Sequence, residues 1–388
     1  MGELPPAVSK TPKRIPVAIA LALIAVAVGA FFAHGRARTL AQVSGQVREL
    51  TPARAGLFWI EAPAELGKAK AQLRFLPHGA RRAPVTLLDA YDIRSLAIRG
   101  ETVYALIETE PGDATGQLVS QPLSGATQVL LSGLHSPQGL VVTDTAVCWT
   151  ESRAAPVEGV PQVPIMGRLT AIRVGAASGG RPVPDSAPRL LAMAESADDH
   201  YTGRLLGTRA GSFYWTERLA ERMPAAKTFF RRAPEQGGEP ETLGLARGAH
   251  EAALSDSHLY WTDFSDEMAS PPSGRTVRRR ALAGGETETL TDWLPSSGAL
   301  VTEGDHAFYV GGGWVWRVPE TLNKPTPITP WGFASQGAVS VYGGNAVGLA
   351  AIPGAKVIAR HPVTVRGYIT AAIPGATARA AGREAASP

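Results

Sequence analysis

Short runs of consecutive hydrophobic and aromatic residues recur along the chain at regular intervals. Seven such cores are found, at residues 57–61, 103–105, 147–151, 213–217, 259–263, 308–310 and, more weakly, 346–348. Their third positions are separated by 46, 44, 66, 46, 49 and 38 residues. Most of these spacings match the ~40–50 residues of one four-stranded propeller blade. The one long interval contains Pro- and Gly-rich insertions at residues 153–165 and 175–188.

Each core has further strand-like runs on both sides. An apolar run precedes it, as at residues 139–142 and 252–254. Two more runs follow and are joined by Gly237-Gly238 in one unit and Gly284-Gly285 in the next. Both glycines of such a pair can take positive φ, which is typical of β-hairpins. The pattern predicts an all-β protein, a β-propeller of four-stranded blades, and dividing about 330 residues into about 47 per blade favours seven blades over six.

Two of the cores carry a known signature. Tyr260-Trp261-Thr262-Asp263 matches the motif YWTD in full, and Tyr214-Trp215-Thr216-Glu217 matches it with one conservative change. The chain therefore resembles the YWTD-type β-propellers of lipoprotein-receptor ectodomains and of bacterial extracytoplasmic proteins. The resemblance extends over about residues 42–370, with three or four clear units. Because the receptor propellers have six blades, the resemblance keeps a six-bladed ring as the alternative.

An acidic residue follows the aromatic core in four units, as Glu61, Glu151, Glu217 and Asp263. A catalytic carboxylate is needed once or twice in a protein, whereas a structural role is needed in every blade. We therefore expect these acids to be caps or hydrogen-bond acceptors. The same reasoning predicts that the repeated Trp and Tyr rings pack between blades.

The N-terminal part contains an apolar run over residues 17–33, which Ile15 and Pro16 extend. As a helix it would be ~25–29 Å long, close to the thickness of a bilayer core. The sequence thus predicts a disordered cytoplasmic stub (1–14), a single-pass transmembrane helix (15–34), an extracytoplasmic, periplasmic propeller (40–370) and a disordered tail (371–388). A cleaved signal peptide has the same basic-then-apolar layout and would make the protein secreted.

Composition excludes several classes of function. A single cysteine, Cys148, rules out a disulfide scaffold or a cysteine-based metal site, and its place inside a core predicts a buried, inert thiol. The net charge of +4 and the pI of 9.3 would suit nucleic acid. However, the arginine runs 231–232 and 278–280 alternate between two faces of their strands, so no nucleic-acid partner is predicted. No motif for nucleotide hydrolysis or for a serine or metal hydrolase occurs.

Candidate site residues follow from the geometry of propellers. The loops that lead into the innermost strands and those after the second strands open at the same end of the ring, here called the axial mouth. Loops held by a rigid scaffold are favoured places for binding. The loops 152–166, 218–228 and 264–275 should wall this mouth. The polar residues predicted to converge there are Arg94, Gln138, Asp199, His200, Arg204, His250, Glu251 and Gln336.

The most ligand-like cluster of the sequence is Asp198-Asp199-His200. Carboxylates beside an imidazole suit a divalent cation such as calcium or the transfer of protons, although adjacent residues of an extended chain point in opposite directions. A solvated polar loop is the alternative. The sequence favours a membrane-anchored module without a cofactor that binds a protein, a peptide or a glycan. The alternative is a propeller hydrolase or lyase with a divalent cation at the axial mouth.

Overall fold

In the computed structural model, the regular elements formed by the described residues are all strands, and their order follows the repeats of the sequence. The described residues are 38–63, 69–79, 83–111, 115–143, 146–154, 168–178, 181–182, 189–194, 200–219, 227–247, 251–264, 275–291, 294, 298–311, 314–328, 339–342, 345–352 and 355–362. None of them belongs to a helix that is long and apolar enough to cross a membrane. The predicted stub, transmembrane helix and tail lie outside these residues.

The strands of the described residues form seven antiparallel sheets, numbered here as blades in chain order. The first strand is β1 (Arg38–Val43). Blade 1 contains β2 (Gln46–Ala53), β3 (Gly56–Ala62), β4 (Ala71–Pro77) and β5 (Val85–Ala90). Blade 2 contains β6 (Asp92–Arg99), β7 (Thr102–Glu108), β8 (Gly116–Pro122) and β9 (Gln128–Leu134). Blade 3 contains β10 (Gln138–Val142), β11 (Ala146–Ala154), β12 (Arg168–Ser178), β13 (Arg181–Pro182) and β14 (Arg189–Ala194).

The remaining blades repeat this arrangement. Blade 4 contains β15 (His200–Arg209), β16 (Ser212–Leu219), β17 (Lys227–Pro234) and β18 (Glu241–Arg247). Blade 5 contains β19 (Ala252–Leu254), β20 (His258–Phe264), β21 (Arg275–Ala281) and β22 (Glu288–Thr291). Blade 6 contains β23 (Gly298–Glu303), β24 (His306–Gly311), β25 (Trp314–Arg317) and β26 (Thr326–Pro327). The last blade contains β27 (Val339–Tyr342), β28 (Asn345–Ile352) and β29 (Ala355–Pro362) together with β1.

The blades form a propeller, which confirms the predicted all-β class and the four-stranded unit. The first strand of each sheet contacts the first strand of the next, and β27 contacts β2. Strand β1 pairs with β29, so the N-terminal strand completes the last blade. The hairpin glycines Gly237, Gly238, Gly284 and Gly285 have positive φ, as their Gly-Gly pairs predicted.

The aromatic cores are the second strands of the blades, and they pack in both directions. Phe213 and Trp215 pack against blade 3, while Tyr214 between them packs against blade 5. Alternate side chains of a strand point to opposite faces, so three consecutive rings fill two interfaces. The predicted packing role of the rings is confirmed. Cys148 lies in the same interface as Trp215 and is fully buried, and burial raises the pKa of its thiol, as expected of an inert cysteine.

Glu61 fastens the junction between the last blade and the first. Its Oε1 accepts hydrogen bonds from Ser44 N (2.7 Å), Ser44 Oγ (2.8 Å) and Gly45 N (3.0 Å). These two residues connect β1 to β2, so the carboxylate holds the segment that crosses from one blade to the other. Partial burial acts to raise the pKa of Glu61, but these hydrogen bonds and the charge of Arg74 outweigh it, and the pKa lies below its usual value.

Replacing Glu61 with alanine should lower the free energy of unfolding by about 1.5–3 kcal/mol, the usual range for hydrogen bonds to a charged group. The depressed pKa also predicts a pH dependence. Because the folded state favours the charged form, this stabilisation is full above the ordinary value of 4.5 and is lost as the pH falls through the lower folded value. Urea unfolding over this range should show a shallower acid loss in Glu61→Gln than in the wild type. An equal loss in both would contradict the proposed role of Glu61 at the junction between β1 and β2.

The other recurrent acids also accept hydrogen bonds, as predicted. Glu151 accepts from Trp149 Nε1 at 2.9 Å and from the backbone nitrogen of His135 at 3.4 Å. Glu217 accepts from Arg231 Nε at 3.0 Å. These hydrogen bonds agree with the structural role predicted for Glu151 and Glu217.

The arginine runs are engaged within and between blades. Arg232 pairs with Glu241 and Arg279 with Glu288, both at 2.7 Å. Arg278 lies 3.3 Å from Asp263. These ion pairs engage the arginines with carboxylates of their own blades.

Candidate functional site

The innermost strands of blades 1 to 4 are irregular at the same place, near the axial mouth. Their register shifts at β-bulges, between Arg48 and Leu50, Ile93 and Ser95, Gln138 and Leu140, and Thr202 and Leu205. A bulge redirects side chains that strict alternation would place between the blades, and bulges are frequent beside functional sites. Three of these bulges contain charged residues, Glu49, Arg94 and Arg204. In β10 the corresponding residue is Gly139, whose φ of +55° a glycine tolerates best.

A network of charged side chains joins blades 1 and 2 at this end of the ring. Asp92, the first residue of β6, accepts a hydrogen bond from Arg48 Nη1 at 2.9 Å and lies 3.1 Å from Arg94 Nε. Arg94 Nη2 donates to Glu108 Oε2 at 2.9 Å. We call these four residues, Arg48, Asp92, Arg94 and Glu108, the charged collar.

The collar presents its arginines rather than its acids to solvent. The side chains of Asp92 and Glu108 are only 4% and 8% exposed, whereas those of Arg48 and Arg94 are 31% and 37% exposed. Partial burial acts to lower the pKa of Arg94, but the hydrogen bond that Arg94 donates to Glu108 and the nearby carboxylate charges outweigh it and raise the pKa. Both guanidinium groups are thus held in fixed positions with one edge accessible, which suits anionic or polar ligand groups.

Glu49 occupies the bulge of β2 next to the collar. Its Oε1 accepts a hydrogen bond from Ser95 Oγ at 3.0 Å and its Oε2 accepts one from Leu96 N at 2.8 Å. Glu49 is solvent-exposed. Desolvation by the surrounding protein raises the pKa of the Glu49 carboxyl, and the two hydrogen bonds and the charge of Arg204 oppose it only in part.

Arg204 of blade 4 and Glu251, which precedes the first strand of blade 5, also interact with each other. Arg204 Nη1 lies 3.9 Å from Glu251 Oε2, and the arginine side chain is 68% exposed. Arg204 also acts electrostatically on Glu49, which belongs to blade 1.

The residues predicted from the sequence fall into three groups. Arg94, Arg204 and Glu251 lie in the interactions just described. Gln138 and His200 begin β10 and β15, and the exposed Gln138 accepts a hydrogen bond from Thr150 Oγ1 through its backbone carbonyl at 2.6 Å. The third group, which lies outside the described residues, contains Asp199, His250 and Gln336.

Arg48, Glu49 and Glu108 were not predicted from the sequence. The signal for the first two was present in Gln46-Val47-Arg48-Glu49-Leu50, where two adjacent charges interrupt an innermost strand. In a regular strand one of these charges would point into an interface between blades. A bulge is the physical way to avoid this, and it is the feature that sequence alternation alone does not show.

Among the described residues, no group of three or more His, Cys, Asp or Glu side chains could hold a metal ion. The carboxylates of the collar bind arginines instead. The sequence-predicted ligands Asp199 and His250 lie outside the described part of the chain, so the cation remains a prediction.

Comparisons with known proteins show similarity in structure but not in sequence. No family model matches the chain, and no curated protein is similar to it in sequence. Similar solved structures include the polysaccharide lyase Uly1 (TM-score 0.56, 12% identity, 84% of this chain and 93% of that chain). An oligogalacturonate lyase in complex with manganese has a TM-score of 0.55 and 9% identity over 83% of this chain and 98% of that chain. The acylaminoacyl peptidase of Pyrococcus horikoshii has a TM-score of 0.54 and 9% identity over 83% of this chain and 53% of that chain.

These likenesses show the β-propeller fold alone, because the identities are low. This chain spans about half the length of the peptidase structures, 47% for a prolyl endopeptidase and 53% for the acylaminoacyl peptidase. It spans nearly the whole length of the two lyases. The resemblance to YWTD propellers stays a prediction, since no family model tests it.

Proposed function

We propose that this protein is a propeller enzyme, a hydrolase or lyase, with its active site at the axial mouth. The observation that carries the proposal is the charged collar. It fixes Arg48 and Arg94 through buried carboxylates at the end of the ring where the innermost strands begin. Positioned cationic donors in a partly enclosed site can stabilise negative charge that develops in a transition state. A surface that served only the fold would not need bulges that turn charges toward solvent.

The comparisons support this proposal over a purely binding role. The chain covers the oligogalacturonate lyase and the polysaccharide lyase named above almost completely, at 98% and 93% of their lengths. A propeller of this size can thus be a whole enzyme without a second catalytic domain. This support concerns architecture, and the reaction is inferred from the site.

The proposed setting is extracytoplasmic. The apolar segment 15–34 would anchor the propeller to the membrane, with the ring in the periplasm, or would be cleaved to release it. Polymers of the cell envelope, glycans or peptides, are then the proposed substrates. Membrane fractionation of the full chain tests this part: recovery in the membrane pellet supports the anchor, and recovery as a shortened soluble protein supports cleavage.

Arg48→Gln tests the proposed active site. Wild-type protein should cleave at least one member of a panel of acidic polysaccharides, neutral polysaccharides and blocked peptides. Loss of one charged donor should then reduce kcat/KM by roughly tenfold or more, since hydrogen bonds to charged groups contribute about 1.5–3 kcal/mol. The matched control is Arg54→Gln in the exposed turn between β2 and β3, at the opposite end of the ring, which should retain wild-type activity. Equal activity of both variants would contradict the proposal.

The second candidate function is a binding module for a protein, peptide or glycan. It is favoured by the collar's own geometry, since arginines with accessible edges bind carboxylates and other polar groups without chemistry. Binding to a member of the panel without any product, and weakened by Arg48→Gln, would establish this function instead of catalysis.

We also propose that the site binds a divalent cation. The oligogalacturonate lyase was solved with manganese. In this chain, Asp199, His200 and His250 are the sequence-based candidates for ligands. A native-state ligand must raise apparent stability, so manganese or calcium titration should raise Tm in the wild type and not in His200→Ala. If the ions leave the Tm of the wild type and of His200→Ala unchanged, the proposed cation is wrong.

A further inference from the structure

Two tryptophans of blade 6 differ from the tryptophans of the aromatic cores. Those in the second strands have at most 1% of their surface exposed, namely Trp59, Trp149, Trp215 and Trp261. Trp314 and Trp316 instead belong to β25, the third strand of blade 6, and both are partly exposed. Their ring centroids lie 5.9 Å apart, with the ring planes tilted by 48°. The two indoles therefore form one aromatic surface, part of which solvent can reach.

Trp314 lies at the axial mouth, on the side of blade 6 that faces blade 5. It is the first residue of β25 and pairs with Gly311, the last residue of β24, which runs back to the mouth. Trp316 follows two residues later on the same face of the strand. It packs against the core that blades 5 and 6 share, and its Nε1 donates a hydrogen bond to Gly311 O at 3.1 Å. Trp316 thus fixes the pair to the fold, and Trp314 is the member nearer the mouth.

The position of Trp314 is aromatic in blade 6 alone. In the other blades the first residue of the third strand is small or basic: Ala71, Gly116, Arg168, Lys227, Arg275 and Ala355. A role that the fold itself required would recur in every blade, as the buried rings of the second strands do. Trp314 therefore serves something particular to blade 6.

The rim of the mouth has the least chain beside Trp314. In blades 1 to 5 the second and third strands are separated by longer connections, at residues 63–70, 109–115, 155–167, 220–226 and 265–274. In blade 6 and in the last blade the connections are only residues 312–313 and 353–354, between the paired residues Gly311 and Trp314 and the paired residues Ile352 and Ala355. Every such connection begins and ends at the mouth. We call the rim over blade 6 and the last blade the open side.

The open side continues directly from the charged collar. Strand β27 of the last blade contacts β2 of blade 1, which contains Arg48, and it also contacts β23 of blade 6. The mouth ends of the first two strands of blade 6 are Gly298 and Gly311. A Cβ on Gly298 would lie 1.9 Å from Val310 O, and one on Gly311 would lie 2.7 Å from the ring of Tyr309. These two strand ends therefore present backbone without side chains beside Trp314.

Resting on the proposed function, we propose that Trp314 is a stacking platform for a sugar ring of a glycan chain that extends from the collar over the open side. A sugar ring has C–H groups on its faces and hydroxyl groups around its edge. It can therefore stack on an indole while its hydroxyl groups stay in water. A peptide would place backbone N–H and C=O groups against the apolar ring, where they lose hydrogen bonds to water. The aromatic surface thus favours a glycan over a peptide among the proposed substrates.

The open side also favours a polymer over a small ligand. A chain bound at the collar can leave the mouth over the last blade and blade 6, where the connections are shortest, without being threaded through the ring. Trp314 then binds a sugar ring away from the bond that reacts. Such a contact strengthens the binding of long chains and takes no part in the chemistry.

The test measures binding of two probes by the full chain, a mixture of oligogalacturonates and a mixture of cello-oligosaccharides, each separated into hexamers and dimers. The wild type should bind at least one hexamer more tightly than its dimer, because the longer chain contacts both the collar and Trp314. Trp314→Ala should weaken hexamer binding by roughly tenfold, as truncation of an aromatic hot-spot residue does, and remove most of this difference. The matched control is Leu322→Ala, 64% exposed in the connection between β25 and β26 at the opposite end of the ring, which should bind like the wild type.

Iodide quenching of tryptophan fluorescence gives a measurement that a purely structural role would not change. Iodide can reach Trp314 but not the four buried tryptophans of the second strands. Bound hexamer should reduce the quenching in the wild type and not in Trp314→Ala. Trp314→Phe should retain most of the affinity, because it keeps a ring, while losing this protection, so the test holds even if Trp314→Ala does not fold.

The outcomes separate this inference from the proposed function. Equal hexamer binding by the wild type and Trp314→Ala, or bound hexamer that does not protect the fluorescence, would overturn the platform and leave the enzyme intact. Binding of neither hexamer by the wild type would also overturn it. Cleavage of the blocked peptides in that case would keep the active site at the mouth with a peptide as substrate. If no member of the wider panel is bound or cleaved, the proposed function fails as well.

Discussion

Trp261→Ala is expected to lower the free energy of unfolding by about 3–5 kcal/mol, the range for removing a large buried aromatic ring. Trp261 is 1% exposed and belongs to the core shared by blades 4 and 5. Its ring lies 4.9 Å from that of Phe230, centroid to centroid. Removing it would leave a cavity between two rigid sheets, which can close only in part. Equilibrium urea unfolding, followed by tryptophan fluorescence and circular dichroism, measures the loss.

Trp261→Phe is the matched variant for this experiment. The indole Nε1 of Trp261 is buried and makes no hydrogen bond within the described part of the chain. Phenylalanine therefore removes no hydrogen bond and keeps most of the buried ring area, so its cost should be less than half that of alanine. Equal costs for the two variants, or a loss below about 1 kcal/mol for alanine, would contradict the packing role of the repeated rings.

Asp92→Ala is expected to lower the free energy of unfolding by about 2–3 kcal/mol, because it removes the carboxylate that holds two arginines. Asp92 is only 4% exposed, and it also accepts a hydrogen bond from the backbone nitrogen of Ile93 at 2.9 Å. Arg48 and Arg94 are partly exposed, so water replaces some of the lost interaction, which keeps the cost below that of a fully buried pair.

The control for Asp92 is Asp89→Ala. Asp89 is exposed on β5, where it accepts a hydrogen bond from Gln72 Nε2 at 3.0 Å. Its loss should change stability by no more than about 0.5 kcal/mol. The two variants are compared by urea unfolding at neutral pH. Similar stabilities would show that the charged collar does not contribute to the stability of the fold.

Much of the fold could be predicted from the sequence because it repeats. Every aromatic core has to fill two interfaces between blades, so Phe213, Tyr214 and Trp215 leave a signal that a single unit would not give. The Gly-Gly pairs predicted the hairpins equally well, since few residues other than glycine accept positive φ. The pairing of β1 with β29 was not predicted, because β1 carries no aromatic core and its partner is more than 300 residues away.

The site was predicted less completely because it depends on departures from the repeat. The end of the ring that carries Arg94, Arg204 and Glu251 followed from strand direction. Glu49 and Arg48 were missed because a bulge, and not alternation, directs them to the mouth. The pairing of charged residues depends on contacts between strands of different blades. These positions do not repeat along the sequence, so the sequence pattern does not predict their partners.

The central claim is that ligands bind at the axial mouth, and a hydrogen-exchange footprint tests it most directly. The full chain is compared with and without the oligogalacturonate mixture, and amide exchange is followed by mass spectrometry. We expect slower exchange at the beginnings of β2, β6 and β15, where Glu49, Arg94 and Arg204 lie. Protection confined to the outer strands β5 and β9 or to the turns at the opposite end of the ring, or no protection at all, would contradict the account.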